Sequence, residues 1–265
     1  MAEVIQRYAT ASEAVRGHLT CRAGLAYGSS EDETLDLFPA AAVGAPIQVF
    51  VHGGAWRGGC KEEYAFPAET FVGAGAHYVA LDFAGIPKVR LPVMAAQVRR
   101  AIVWIYRNAE RFGGDPERIS LSGHSSGGHL AAVALTTDWK ALGVPETVVK
   151  AGLCVSGMYD LRAPLLSARS SYVEVSREEE HELSPQRHLD RIRCPIAVAY
   201  GERESPEFKR QATDFAAALR EAGLASELVV GPSLNHFEML ETLGTKDGLL
   251  ARVALRQMRL PRPAV

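Results

Sequence analysis

The stretch Gly123-His124-Ser125-Ser126-Gly127 stands between a strand-like segment, 118–122, and a run of small apolar residues, 129–135. It matches the pattern Gly-x-Ser-x-Gly, in which a nucleophilic serine occupies a sharp turn between a strand and a helix. Flanking glycines lack Cβ atoms, so the strand and helix can approach closely while Ser125 adopts strained backbone angles. The alternative is a glycine-rich turn with a solvent-facing serine, and the surrounding strand and helix argue against it.

The segments around this turn alternate between strand-like and helix-like patterns. The strand-like ones are short and apolar or β-branched, with glycine, proline or polar residues at their ends. This alternation predicts an α/β fold with an eight-stranded, mostly parallel sheet and helices on both faces. The predicted strands, of which the first two form a hairpin, are 22–27, 33–38, 47–51, 77–81, 118–122, 151–155, 195–200 and 227–230.

Two of the helices between these strands have clear signals. From 92 to about 112, apolar residues recur at steps of three and four, which places them on one face of a helix, and Gly113 ends the run. A second helix fits 208–221 and is closed by Gly223. Residues 160–190 break the alternation, because this stretch is polar.

Length and composition fit a single α/β domain, which we expect to extend over 1–265. We expect residues 160–190 to form a short cap-like excursion over one end of the sheet. Hydrophobic residues make up 47% of the chain and charged residues 23%, which excludes a disordered chain, a collagen-like repeat and a coiled coil.

The partners and the compartment follow from charge and from cysteine spacing. The net charge is −2 with no basic block, so we expect no nucleic-acid or membrane partner. No apolar run is long enough to span a bilayer, and the N-terminus lacks an apolar signal core. The four cysteines lie far apart, which is typical of a reducing cytoplasm. We expect a small-molecule substrate, and a homodimer remains open.

A second motif, His52-Gly53-Gly54-Ala55-Trp56, follows the strand that ends at Val51. Consecutive glycines leave backbone N–H groups unobstructed, and such donors can hold a developing oxyanion. We therefore predict an oxyanion hole formed by the backbone N–H groups of Gly53, Gly54 and Ser126, the last at a helix N-terminus. For His52 we expect a structural role that braces the loop rather than a metal-binding or general-base role.

A histidine late in the chain completes the nucleophilic arrangement. Enzymes with this serine turn have their partners in the order serine, acid, histidine. His236 follows the last strand and can take the Ser125 proton as a general base. The acid should follow the strand that ends at Tyr200, where three glutamates compete. Glu207 fits the start of a helix and Glu202 lies close to the strand end, so we choose Glu204, in the loop itself.

The remaining histidines and arginines suggest weaker alternatives. The histidines do not form His-Glu-x-x-His, so we predict no metal. The glycines after residue 122 lack the Gly-Lys-Ser/Thr ending of a phosphate loop, and we predict no cofactor. Arg57, Arg162 and Arg169 lie near the glycine loop or in the excursion, where any of them could hold a substrate carboxylate or form surface ion pairs.

Taken together, these motifs resemble the α/β-hydrolase superfamily and, within it, the kynurenine formamidase (arylformamidase)-like group. The resemblance extends from about Cys21 onward, and the form His-Gly-Gly-x-Trp is its most specific part. It implies hydrolysis of aryl formamides, other amides or carboxylic esters without a metal. The matching stretches are 33–38, 52–56, 123–130, 156–161, 206–208 with Gln211, and 235–238.

The sequence therefore predicts a cofactor-free serine hydrolase that forms an acyl-enzyme on Ser125 and cleaves a small amide such as N-formylkynurenine. Alternatives within the enzymes are a carboxylesterase and an amidase acting on an acidic catabolic intermediate. A non-catalytic small-molecule receptor on the same fold is the alternative from another class of protein.

Overall fold

The computed structural model describes residues 2–261, so Met1 and 262–265 of the predicted domain lie outside the described residues. Eight strands form one continuous sheet, and each predicted strand is found, β4 with the predicted ends and the others with ends that differ by up to four residues. The strands are β1 (Arg22–Ala26), β2 (Thr34–Phe38), β3 (Ala45–Val51), β4 (His77–Leu81), β5 (Gly114–His124), β6 (Val149–Val155), β7 (Ile196–Gly201) and β8 (Ser226–Gly231).

The sheet has the strand order β1-β2-β4-β3-β5-β6-β7-β8. The hairpin partners β1 and β2 pair in antiparallel fashion, as do β2 and β4. All pairs from β4 to β8 are parallel, so their carboxyl ends lie at one edge of the sheet. The predicted eight-stranded, mostly parallel α/β fold is thereby confirmed.

Nine α-helices and several short 3₁₀ turns occur in the described part of the chain. The predicted long helix is one residue longer at its start and changes to a 3₁₀ turn over Ala109–Phe112 before Gly113. The α-helices are α1 (Ala2–His18), α2 (Ala68–Gly73), α3 (Leu91–Asn108), α4 (Ser126–Leu135), α5 (Arg162–Leu165), α6 (Arg177–Glu182), α7 (Pro206–Glu221), α8 (Glu238–Glu241) and α9 (Leu249–Gln257).

Two hydrophobic layers cover the two faces of the sheet. Alternate residues of β3 point to opposite faces, so Val49 packs into one layer and Phe50 into the other. The first layer contains the apolar rows of α3, α4 and α7, and the second contains those of α1, α2 and α9. Burial on both faces explains why β3 consists entirely of buried residues.

The helix α1 is absent from the sequence prediction. Its buried apolar side chains are few and lie among polar residues, which makes the helical period weak. They are Val4, Tyr8 and Val15. Helix α1 packs beside the carboxyl-end loops, where the Ser12 hydroxyl accepts from the N–H groups of Ala65 and Phe66 at 3.0 Å each.

Residues 160–190 connect the carboxyl end of β6 to β7 and contain the short helices α5 and α6 with 3₁₀ turns between and after them. Within residues 2–261, no helix combines the length and apolar character needed to cross a membrane.

Candidate active site

Ser125 occupies a strained turn between β5 and α4. Its backbone angles are φ 58° and ψ −123°, in the left-handed half of φ space, which non-glycine residues rarely enter. Its N–H donates to the Val155 carbonyl at 2.9 Å. A Cβ on Gly127 would lie 2.1 Å from the Val51 carbonyl oxygen, so only glycine lets the helix pass this close to β3. The serine therefore stands at the carboxyl edge of the sheet, as the motif predicts.

Ser125, His236 and Glu204 form one hydrogen-bonded chain. His236 Nε2 lies 2.9 Å from Ser125 Oγ, and His236 Nδ1 lies 2.8 Å from Glu204 Oε2. The three residues come from the loops after β5, β7 and β8, which end at the same edge of the sheet. The imidazole can thus accept the serine proton on one nitrogen while the carboxylate holds the other.

The Glu204 carboxylate is buried and fully engaged. Its Oε1 accepts from the Ser156 hydroxyl at 2.5 Å and from the Gly201 N–H at 2.7 Å. Burial by itself raises the pKa of Glu204, but the hydrogen bond and charge of His236, with the Gly201 and Ser156 donors, outweigh it and hold the pKa below its usual range. Sequence reasoning gave no role to Ser156, which has φ 51° at the end of β6.

The two competing glutamates are directed elsewhere. Glu202 accepts from the Ser233 N–H at 2.7 Å, at the turn after β8. Glu207, in the first turn of α7, pairs with Arg210 at 2.7 Å and accepts from the Gln211 amide at 3.0 Å. Of the three carboxylates, the structure therefore brings that of Glu204 to His236.

The loop that carries His236 is fixed from both sides. The Asn235 side-chain oxygen accepts from the N–H groups of Phe237 and Glu238 at 2.9 and 3.0 Å, and Glu238 accepts from the Asn235 N–H at 3.0 Å. The Tyr8 hydroxyl of α1 donates to the Phe237 carbonyl. These contacts restrain the backbone on either side of the imidazole.

The 52–56 loop follows β3 and passes directly beside the serine. A Cβ on Gly53 would lie 3.1 Å from the Ser125 Cβ, and one on Gly54, which has φ 121°, would meet the Gly58 carbonyl oxygen at 1.9 Å. Within the described residues, no backbone carbonyl accepts from the N–H of Gly53, Gly54 or Ser126. Unpaired N–H groups near a nucleophile are the donors that an oxyanion needs.

Two side chains of this loop brace it. His52 Nδ1 lies 2.8 Å from the Gly53 carbonyl oxygen, and its ring stacks on Phe83 at 4.4 Å, so His52 supports the loop. The Trp56 indole donates to Nδ1 of His129 in α4 at 3.2 Å, and His129 Nε2 lies 2.7 Å from the Leu183 carbonyl oxygen. Burial lowers the pKa of His129 to about 4. This histidine therefore links three parts of the site as a neutral ring.

A cavity of about 620 Å³ opens over Ser125 and His236. Its wall includes Gly54 and Ala55. Hydrophobic side chains form another part of the wall; these are Ile5, Tyr64, Phe208 and Phe237. Of the arginines considered in the sequence, Arg169 lines this cavity, whereas Arg57 stacks over the Tyr172 ring at 4.7 Å. Arg162 is exposed and stands outside the cavity wall.

Comparisons with known proteins identify the class of protein to which this fold belongs. The model of the BD-FAE family matches residues 35–151, and that of the prolyl oligopeptidase family matches residues 101–249. A solved structure of a proposed thioesterase from Silicibacter sp. TM1040 superimposes with a TM-score of 0.83 at 26% identity, over 96% of this chain and 93% of that one. The protein is a hydrolase with the α/β-hydrolase fold.

Two curated relatives narrow this class. Kynurenine formamidase of Salmo salar is 35% identical over 97% of this chain and 90% of its own length. Esterase LipQ of Mycobacterium tuberculosis is 32% identical over 76% of this chain, and the match covers 52% of that esterase. The chain belongs to the kynurenine formamidase-like group of the α/β-hydrolases.

Proposed function

We propose that this protein is a serine hydrolase that needs no cofactor and cleaves a small amide, an aryl formamide such as N-formylkynurenine, through an acyl-enzyme. The observation that carries the proposal is the continuous hydrogen-bonded chain from Ser125 through His236 to Glu204. The similarity to kynurenine formamidase along almost the whole chain supports the choice of substrate.

In the acylation step, Ser125 Oγ attacks the carbonyl carbon as His236 Nε2 takes its proton. The carbonyl oxygen becomes an oxyanion, which the N–H groups of Gly53, Gly54 and Ser126 stabilise. Glu204 holds the Nδ1–H and balances the imidazolium charge. His236 then donates its proton to the leaving nitrogen, the carbon–nitrogen bond breaks, and the free amine departs.

In the deacylation step, water replaces the amine. His236 Nε2 removes a proton from the water while the water oxygen attacks the carbonyl carbon of the ester on Ser125. The second tetrahedral intermediate uses the same oxyanion donors. Its collapse returns the proton from His236 to Ser125 Oγ, which releases a carboxylic acid and restores the starting state. For a formamide substrate that acid is formate.

Replacing the nucleophile tests the proposal most directly. Ser125→Ala should lower kcat for N-formylkynurenine by about a millionfold, the scale of losing a triad nucleophile. Ser170→Ala, which alters an exposed serine of the excursion, is the matched control and should retain the parental rate. The measurement is kynurenine formation by absorbance. An S125A protein with more than one hundredth of the parental rate would contradict the serine mechanism.

A second comparison tests the assignment of the acid. Glu204→Gln removes the charge but keeps the shape, and should lower kcat by about 10⁴-fold, as loss of a triad carboxylate does. Glu202→Gln and Glu207→Gln should remain within about threefold of the parental kcat, because these carboxylates bind elsewhere. Circular dichroism checks that each variant is folded. A major loss in E202Q or E207Q with normal E204Q would move the acid.

A carboxylesterase is the second candidate, because the chain is 32% identical to an esterase over 76% of its length. Amide and ester cleavage use the same nucleophile and oxyanion hole. They differ in the leaving group, because an amine must be protonated before it departs and an alcohol depends less on this proton. Parallel kcat/KM measurements on N-formylkynurenine and p-nitrophenyl acetate separate the two. Turnover of the ester without turnover of the formamide would favour the esterase.

A further inference from the structure

Two arginines of the cavity wall have no acidic partner. Arg169, half-buried in the 160–190 excursion, and Arg203, exposed in the loop after β7, both line the cavity that contains Ser125. Among residues 2–261, no carboxylate oxygen lies within 4.0 Å of either guanidinium. Two other arginines that contact the 160–190 excursion are paired: Arg90 with Glu179 at 2.6 Å and Arg187 with Glu180 at 2.6 Å.

The cavity wall carries two positive charges and one negative charge. The negative charge is that of Glu204, and both oxygens of its carboxylate are bound by His236, Ser156 and the Gly201 N–H. No other Asp, Glu, Lys or Arg lines the cavity, so the wall has an excess of positive charge. Such a concentration of one charge attracts a ligand of the opposite sign.

The backbones of both arginines are anchored, while no hydrogen bond or ion pair to their guanidinium groups is found among residues 2–261. The Arg203 N–H donates to the Leu234 carbonyl at 2.9 Å, next to the loop of His236. The Arg169 N–H donates to the Ser167 hydroxyl at 3.2 Å, and its carbonyl accepts from Val173 N–H at 2.9 Å. Fixed backbones reduce the entropy lost when the side chains close on a ligand.

We propose that Arg169 and Arg203 bind a carboxylate of the substrate while the scissile carbonyl lies at Ser125. This inference rests on the proposed serine hydrolase function and assigns the side chains that hold the carboxylate of a substrate such as N-formylkynurenine. A planar guanidinium fork matches the two oxygens of a carboxylate, which lysine cannot do. The apolar walls of the cavity fit the uncharged body of the substrate.

Charge-matched substrate pairs test the proposal. One pair is N-formylkynurenine and its methyl ester, which places the charge on the leaving group. The other is mono-p-nitrophenyl succinate and its methyl ester, which places the charge on the acyl group. The parental enzyme should prefer the acid in at least one pair by about tenfold or more in kcat/KM. Tenfold corresponds to about 1.4 kcal/mol, which is the scale of one charge-assisted hydrogen bond. Equal kcat/KM for acid and ester in both pairs would overturn the proposal.

Variants then connect the preference to the two residues. In Arg169→Gln and Arg203→Gln, the acid-to-ester ratio should fall toward one, mainly through a higher KM for the acid. Arg169→Lys should restore only part of the ratio, since it keeps the charge but loses the fork. Arg162→Gln changes an exposed arginine of the same excursion outside the cavity and should keep the parental ratio. A ratio that is unchanged in both R169Q and R203Q would also overturn the proposal.

Ser125→Ala distinguishes a failure of the proposed function from a failure of the carboxylate site. If Ser125→Ala leaves turnover of all four substrates intact, the proposed function is wrong. If Ser125 is required but acid and ester are hydrolysed alike, the serine mechanism stands and the carboxylate site is wrong.

Discussion

The serine turn and the 160–190 excursion border the same cavity but are held by different forces. Every residue of α4, directly after Ser125, is buried, and the glycines of the turn lie against neighbouring backbone. Helix α6 of the excursion has no buried residue and is held by a capping box and ion pairs such as Arg90 with Glu179. Steric fit fixes the first region, whereas in the second exposed polar contacts hold α6 and a few buried side chains, such as Val173 and Leu183, anchor the segments around it.

Under the proposed mechanism, this difference separates the residues that perform the chemistry from those that select the substrate. A nucleophile must stay within a few tenths of an ångström of its base, and close packing of backbone against backbone provides that rigidity. The excursion contributes Arg169 to the cavity wall, and exposed polar contacts there tolerate substitution at small cost. Substitutions in the excursion should therefore alter substrate preference while the machinery around Ser125 stays intact.

The largest effect should come from adding one methyl group to the serine turn. In Gly127→Ala, the new Cβ would lie 2.1 Å from the Val51 carbonyl oxygen and 2.3 Å from that of His52. Both contacts are with backbone, which cannot rotate away. We expect the free energy of unfolding to fall by about 3 kcal/mol or more, with loss of activity, as measured by urea denaturation and ester turnover.

Gly17→Ala is the matched control for that substitution. No atom lies within 4 Å of a Cβ built on Gly17, near the end of α1. Replacing this helical glycine should raise the free energy of unfolding by about 0.5–1 kcal/mol. If G127A were as stable as G17A, the close packing of the turn would not be what holds Ser125.

An intermediate effect should appear at His129, which joins the two regions. Its ring accepts from Trp56 and donates to Leu183 of the excursion, and burial lowers its pKa to about 4. The unfolded chain binds a proton at this residue near pH 6.5, and the folded protein does not until about pH 4. Stability must therefore decrease as pH falls between these values, by up to about 1.4 kcal/mol per pH unit for this ring.

His129→Gln keeps a donor for the Leu183 carbonyl but cannot titrate. Urea denaturation at pH 6.5, 5.5 and 4.5 should therefore show a shallower decrease in stability for this variant than for the parent. Burial and the neighbouring His236 lower the pKa of His124 to about 3. His124 should therefore still give H129Q part of the decrease in stability with falling pH. Parallel slopes in H129Q and the parent would show that folding does not lower the pKa of this ring.

The sequence predicted the parts of the molecule that depend on local patterns. All eight strands, the long helix α3 and the turn at Ser125 follow from apolar period and glycine spacing. The hydrogen bonds of His236 agree with the order of motifs along the chain. Only the structure distinguishes Glu204 from the two neighbouring glutamates. Its carboxylate accepts hydrogen bonds from Ser156 and Gly201, and no local sequence pattern predicts these contacts.

Other features depend on contacts between distant segments and could not be read from the sequence. Helix α1 was missed because its few buried residues, such as Tyr8, gain their burial from loops more than fifty residues away. Arg203 was missed because it lies among glutamates in the sequence, and only the fold turns it toward the cavity. The bonds of His129 to Trp56 and Leu183 span 73 and 54 residues.

The smallest effect should come from the cap of α6. The Ser176 hydroxyl accepts from the Glu179 N–H at 3.2 Å, and Glu179 accepts from the Ser176 N–H at 2.8 Å. Ser176→Ala removes half of this capping box and should cost about 1 kcal/mol in the free energy of unfolding, with faster amide exchange confined to 177–182. Ser176→Asp should restore the stability, because aspartate caps helices as well as serine does.

Since α6 buries none of its residues, its local opening leaves the sheet and Ser125 in place. A decrease in S176A as large as that in G127A would therefore mean that the excursion and the serine turn unfold as one unit, and the division between chemistry and selectivity would not hold.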